Sequence, residues 1–210
     1  MQVPLSASVA AEPYLSLVIT ALIVIGSPGP ATIGASATAT AFGLRRSLPY
    51  LLGSIAGTTT VLLVVAAGLA TVLMAQPRVG PVLLALSVAY LAWLAWKIAT
   101  APPPAVDAAR SRTPPTWLHG LVLGVANPKA YAALGALFAS QHLGLPTAIL
   151  ESAVKTTVLT GLIVLIHLGW AVIGASMAAA LQRPRVARVV NVALAAALLA
   201  STVPLVADVL

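Results

Sequence analysis

The chain has no cysteine, and only four carboxylates, Glu12, Asp107, Glu151 and Asp208, occur in its 210 residues. Without cysteine there are no disulfides, no thiol–disulfide electron carrier and no thiolate-bound metal. The acids lie too far apart in sequence to suggest an acid–base pair. No His-Glu-x-x-His zinc motif, Gly-x-Ser-x-Gly turn or Walker loop is present. Three scattered histidines, His119, His142 and His167, make a poor metal site. The expectation is a protein that is not an enzyme, with no cofactor and no metal. Aromatic residues are also scarce, at 5%, which disfavours a large apolar binding pocket and favours a small polar ligand.

Charge is the deepest shortage. Charged residues make up 7% of the chain and hydrophobic ones 60%, against about 25% charged in a soluble domain. So little charge cannot cover a surface facing water, so the solvent for most of the outside must be lipid. The net charge of +7 does not point to nucleic acid, because the basic residues fall between apolar runs rather than in one patch.

Six apolar runs are long enough for the roughly 20 residues that span a bilayer core. They cover residues 14–42, 48–75, 82–99, 117–140, 147–180 and 189–209. The first dozen residues carry no Lys or Arg, whereas a secretory signal peptide opens with a basic region. The first run is therefore expected to be a retained span. The fifth is long enough to tilt or bend. Gln76 to Pro81 reads as a tight turn, because its prolines and glycine cannot continue a helix.

The expected fold is an all-α integral membrane protein forming a single transmembrane domain over 1–210. A first repeat spans 13–100, a polar, proline-rich cytoplasmic linker 101–116, and a second repeat 117–210. Of the eleven basic residues, eight lie in odd-numbered loops: Arg45, Arg46, Lys97, Arg110, Arg112, Arg183, Arg185 and Arg188. The positive-inside rule puts those loops in the cytoplasm and both termini outside. Trp93, Trp96 and Trp117 flank the linker as interfacial anchors.

Three spans per half is an odd number, so the two halves must lie in the membrane with opposite orientation, as inverted repeats. The first span of each half is broken by proline, at Ser27-Pro28-Gly29-Pro30 and at Asn127-Pro128-Lys129, and Pro28 and Pro128 are 100 residues apart. Proline removes a backbone donor and clashes with the carbonyl one turn back. The carbonyls it frees are tolerated in a membrane only against protein or a watery cavity. A half-helix that starts after a break offers free N–H groups to a carboxylate, and loose carbonyls suit an ammonium. An amino acid carries both groups.

The Pro28-Gly29-Pro30 and Asn127-Pro128-Lys129-Ala130 runs, taken together, resemble the LysE/RhtB family of exporters. So do Gly120 to Lys129, Ala89 to Lys97, and Gly53-x-x-x-Gly57 in the second run. The resemblance extends over nearly the whole chain, in order. It implies a six-helix secondary transporter that exports amino acids or close derivatives across a bacterial cytoplasmic membrane, driven by the proton gradient. Its partners would be a small-molecule substrate, protons and lipid, with assembly into homo-oligomers left open. The motif residues that carry over are Pro28, Gly29, Pro30, Asn127, Pro128 and Lys129. Where the family commonly has an acid after its second-span glycines, this chain has Thr58, so proton coupling is expected to fall on Glu151 or His167.

Several residues keep two readings. Lys129 either binds substrate or locks freed carbonyls, or else it snorkels or caps the broken helix. Glu151 and Lys155, four apart on one helix face, either neutralise each other or carry a proton. His167 is either a relay or a core histidine bonded to a carbonyl. Gly53-x-x-x-Gly57 and Gly120-x-x-x-Gly124 predict close helix approach. The small-residue run 31–41 predicts a half-helix lining the pathway. Asn191 is either an interhelical or an interfacial group. A cation or metal exporter, and a non-transporting membrane subunit, are the alternative functions.

Overall fold

A computed structural model describes residues 6–68, 89, 92, 96, 99, 100, 113–177 and 183–200. Most of the third expected span, the turn at 76–81, Trp93, and residues 101–112 of the linker lie outside the described residues. The described residues hold seven helices: α1 (Ser6–Gly26), α2 (Pro30–Phe42), α3 (Leu44–Ala66), α4 (Trp117–Val125), α5 (Pro128–Ser140), α6 (Ala148–Met177) and α7 (Pro184–Ala200).

Both proline motifs break their helices. The axis turns by 63° between α1 and α2 and by 55° between α4 and α5. In each case a proline opens the second piece, where its missing N–H costs no helical bond. Helices α3 and α6 are long and apolar enough to cross a membrane singly, and each bent pair passes the same test as one span. The protein is a multi-pass membrane protein. Helix α6, with 30 residues, extends about 45 Å, well beyond a hydrocarbon core of about 30 Å.

Element boundaries depart from the hydropathy runs in two places. The loop expected after the first run shrinks to Gly43, whose φ of 77° suits glycine alone. Helix α3 begins at once with Leu44, so Arg45 and Arg46 ride on its first turn. Helix α7 likewise starts five residues before its apolar run, on Pro184, with Arg185 and Arg188 inside it. The reason is the same in both: arginine is a good helix former, and hydropathy marks where a helix enters lipid rather than where it begins. By contrast, α6 starts within one residue of expectation, because Thr147 Oγ1 accepts the Leu150 N–H at 3.2 Å and closes its first turn.

The halves interleave. Helix α3 packs on α4 and α5, the two pieces of the other half's broken span, and α6 packs on α1 and α2. The α3–α4 crossing is backbone against backbone. A Cβ added at Gly124 would lie 2.7 Å from Ser54 O and 2.8 Å from Thr58 N, and one at Gly57 would lie 2.9 Å from Gly124 Cα. Gly53 meets Trp117 and Leu121, and Gly120 meets Tyr50 and Ser54, in the same way. The two Gly-x-x-x-Gly patterns thus face each other, the arrangement that lets helices attract in lipid through close packing. Across the molecule Gly174 of α6 lies against Ser36 of α2, and Thr40 Oγ1 donates to Gly174 O at 2.8 Å.

Leu17, Leu62, Leu134, Leu137, Leu159 and Ile163 fill a core between α1, α3, α5 and α6. Leu15, Ile23, Leu52, Leu63, Val122 and Leu165 point outward, as a lipid-facing surface requires.

Candidate functional site

The two breaks meet. Where α1 ends, Pro28 and Pro30 cannot supply N–H groups. Ser27 closes two carbonyls of the last turn, its N–H on Ile23 O at 3.2 Å and its Oγ on Val24 O at 2.9 Å, and other partners come from elsewhere in the fold. Lys129, at the start of α5, reaches across so that its Nζ donates to Ser27 O, to Ser27 Oγ at 2.7 Å and to Pro28 O at 3.1 Å. Trp170 Nε1 of α6 donates to Gly26 O at 3.0 Å. The Gly29 N–H donates to Thr32 Oγ1 at 2.9 Å. A cation on the carboxyl end of α1 is also favoured by the helix dipole.

Gly29 makes this reach possible. A Cβ there would stand 2.7 Å from Lys129 Cδ and 3.1 Å from its Nζ. The middle residue of Pro28-Gly29-Pro30 therefore leaves the channel through which the lysine passes.

Beside Lys129 lies a cavity of about 20 Å³, lined in part by Thr32, Thr58, Asn127 and His167. Asn127, Thr58 and His167 are all more than nine-tenths buried. Asn127 Oδ1, Thr58 Oγ1 and His167 Nε2 have no hydrogen-bond partner among the described residues. Buried polar atoms left unpaired are costly, and the three residues that carry them share the lining of one cavity. His167 Nδ1 bonds Ile163 O at 2.8 Å. Because a carbonyl only accepts, Nδ1 carries the hydrogen, and in the neutral ring Nε2 is left with a lone pair. The bond to Ile163 O is the carbonyl-bonded core histidine of the sequence reading.

Of the motif residues, Gly29, Asn127 and Lys129 line the cavity with Thr58 and His167, Pro28 gives its carbonyl to Lys129, and Pro30 and Pro128 open the two half-helices. Glu151 and Lys155 do not line the cavity. They form an ion pair of 2.8 Å near the start of α6, about 18–24 Å along the helix from His167. Lys155, itself buried, also donates to Phe138 O at 3.3 Å and sits 5.6 Å from the Phe138 ring centre. His142 Nδ1 lies 3.7 Å from Glu151. Two participants escaped the sequence reading, the Ser27 hydroxyl and Trp170. The signal for Trp170 was an indole N–H in mid-span, three residues after His167, which in lipid must find an acceptor.

Over 81 residues the chain is 40% identical to the cysteine/O-acetylserine efflux protein of Salmonella choleraesuis, and 38% identical to the protein of the same name in Escherichia coli. Each match covers 39% of this chain and 42% of the relative's length. No solved structure matches the chain. The model of the LysE type translocators matches residues 22–208, nearly the full length. The chain belongs to that family, which is one of translocators and not of enzymes.

Proposed function

We propose that this protein is a secondary transporter of the bacterial cytoplasmic membrane that exports small amino acids or their close derivatives, driven by the proton gradient. The observation that carries the reading is the small cavity where the two helix breaks meet, whose largely apolar wall carries Lys129 and three buried polar side chains with an atom left unpaired among the described residues. Paired broken helices with a shared polar centre suit a substrate that carries both charges. The names of the relatives add support for a short, neutral amino-acid substrate.

The architecture we propose is six spans in two inverted repeats, 13–100 and 117–210, joined by a cytoplasmic linker at 101–116, with both termini outside. The exchange of partners supports it: α3 embraces both pieces of one broken span, and α6 both pieces of the other. In this reading Asn127 and Thr58 orient the substrate. His167 carries the coupled proton on Nε2, in place of the acid that Thr58 replaces. The Glu151–Lys155 pair holds the junction of α5 and α6, away from the cavity.

The test is export from cells loaded with dipeptides, following each free amino acid in the medium. One or a few small amino acids are expected to leave faster when the protein is expressed, and an uncoupler and Lys129→Ala are each expected to abolish the difference. If the protein is abundant in the membrane and no amino acid responds, the reading fails.

A further inference from the structure

We infer that the oxygens holding Lys129 are the amine subsite of the transport cavity, and that Lys129 is a tethered stand-in which a substrate's primary ammonium replaces. The inference rests on the export reading above and specifies the chemistry of the ligand: a free primary amine beside a carboxylate.

The first ground is stereochemical. An ammonium group carries three donors, and three acceptors converge on Lys129 Nζ: Ser27 O, Ser27 Oγ and Pro28 O. Ser27 Oγ spends its hydrogen on Val24 O at 2.9 Å, so the cradle presents only acceptors to its guest; it would repel a carboxylate, and a quaternary amine could make no hydrogen bond to it. The second ground is space. With Lys129 in place the cavity has room for about one water, although Thr58 Oγ1, Asn127 Oδ1 and His167 Nε2 stand unpaired around it. An amino acid can reach those atoms only if the lysine stem withdraws. The third ground is charge balance. Among the described residues no carboxylate lines the cavity, so Lys129 has no acid there to release when it leaves. Exchanging one ammonium for another keeps every cradle bond, and the displaced Lys129 can then pair with the incoming carboxylate. A free alkylamine lacks that second contact and cannot compete with a tethered ammonium at high effective concentration.

The test is thermal unfolding of the purified full-length protein in detergent. In Lys129→Ala, n-propylammonium is expected to raise the melting temperature by several degrees, while tetramethylammonium and 1-propanol have no effect. In the unsubstituted protein n-propylammonium alone is expected to have no effect. Equal shifts with n-propylammonium and tetramethylammonium, or no shift in the variant, would overturn the inference and leave Lys129 as a structural staple. If Lys129→Ala does not survive purification, Lys129→Met, which keeps a stem along Gly29, takes its place. The probes are then methylammonium and tetramethylammonium: a shift with methylammonium alone supports the inference, and equal shifts or none overturn it. Export of amino acids without amine-selective stabilisation would sink this inference alone. Amine-selective stabilisation without export would sink the export reading.

Discussion

The two helix breaks use the same device, a proline near the middle of a span, and leave opposite chemistry behind. At the first break side chains meet the backbone: Trp170 meets Gly26 O, Lys129 meets Ser27 O and Pro28 O, and Thr32 meets the Gly29 N–H. At the second break the backbone closes on itself, with the Ala126 N–H on Val122 O at 2.8 Å and the Ala130 N–H on Asn127 O at 3.0 Å. What remains open there is a side chain, Asn127 Oδ1. The first break is thus an acceptor cluster closed by distant residues. The second lends out its lysine and keeps a vacant polar atom. A repeated motif in a membrane protein need not repeat its chemistry. The asymmetry between the breaks gives the cavity an ammonium end and a neutral polar end.

The contrast can be broken most severely at Lys129. Lys129→Ala strips the first break of its cation and leaves Pro28 O without this donor and Ser27 O with only the long contact of 3.4 Å from Thr32 Oγ1, at about 1–3 kcal/mol for an unpaired buried group. Export is expected to fall at least about 100-fold, the equivalent of losing roughly 3 kcal/mol of substrate and helix-end interactions together, and the melting temperature is expected to drop. Next comes His167. His167→Gln keeps a polar group at the cavity but cannot carry the proton, so gradient-driven export in vesicles is expected to stop while amino acids still exchange across the membrane. Loss of exchange as well would mean that the ring binds substrate rather than protons.

Asn127→Leu sharpens the comparison from the other side. It removes a buried atom that has no partner, so the melting temperature is expected to hold or rise while export falls about tenfold, one lost hydrogen bond's worth. If export is unchanged, Asn127 Oδ1 is not part of the substrate's surroundings. Trp170→Phe removes one donor from the first break and is expected to cost about 1 kcal/mol of stability, read as a lower melting temperature, with export reduced no more than severalfold. The smallest effect on transport is expected from Glu151→Gln. It leaves Lys155 buried without its counter-ion and lowers stability, but in proteoliposomes the dependence of export on the gradient should stay within about twofold, because the pair lies about 18–24 Å along α6 from His167. A Glu151→Gln protein that no longer responds to the gradient would move the proton path to the α5–α6 junction.

The sequence made the breaks readable because proline has one unambiguous consequence in a helix. It also made the glycine patterns readable as close approaches. It did not tell that Gly53-x-x-x-Gly57 approaches Gly120-x-x-x-Gly124, because helical periodicity names a face and not the partner of that face. The span of Lys129 was legible, and its target was not. Ser27 and Lys129 are about a hundred residues apart, and only the interleaving of the halves brings them together. Trp170 was passed over for a related reason: tryptophans near the ends of a span read as anchors, and one in mid-span shows its purpose only when the carbonyl it meets is known. The arginines misplaced two helix starts because hydropathy reports the lipid boundary. The missing acid at Thr58 was visible in the sequence. That His167, more than a hundred residues later, opens onto the same cavity was not.

The absence of cysteine from the chain allows a direct test of whether the cavity is the pathway. A single substitution, Thr58→Cys, puts the only thiol on the cavity wall. In membrane vesicles that export an amino acid, a small hydrophilic thiol reagent that does not cross lipid should label this cysteine, and the exported amino acid should slow the labelling in proportion to its saturation of transport. Labelling that the substrate leaves unchanged while export proceeds, or a cysteine that reacts from neither side of a working protein, would contradict a substrate path between the two breaks.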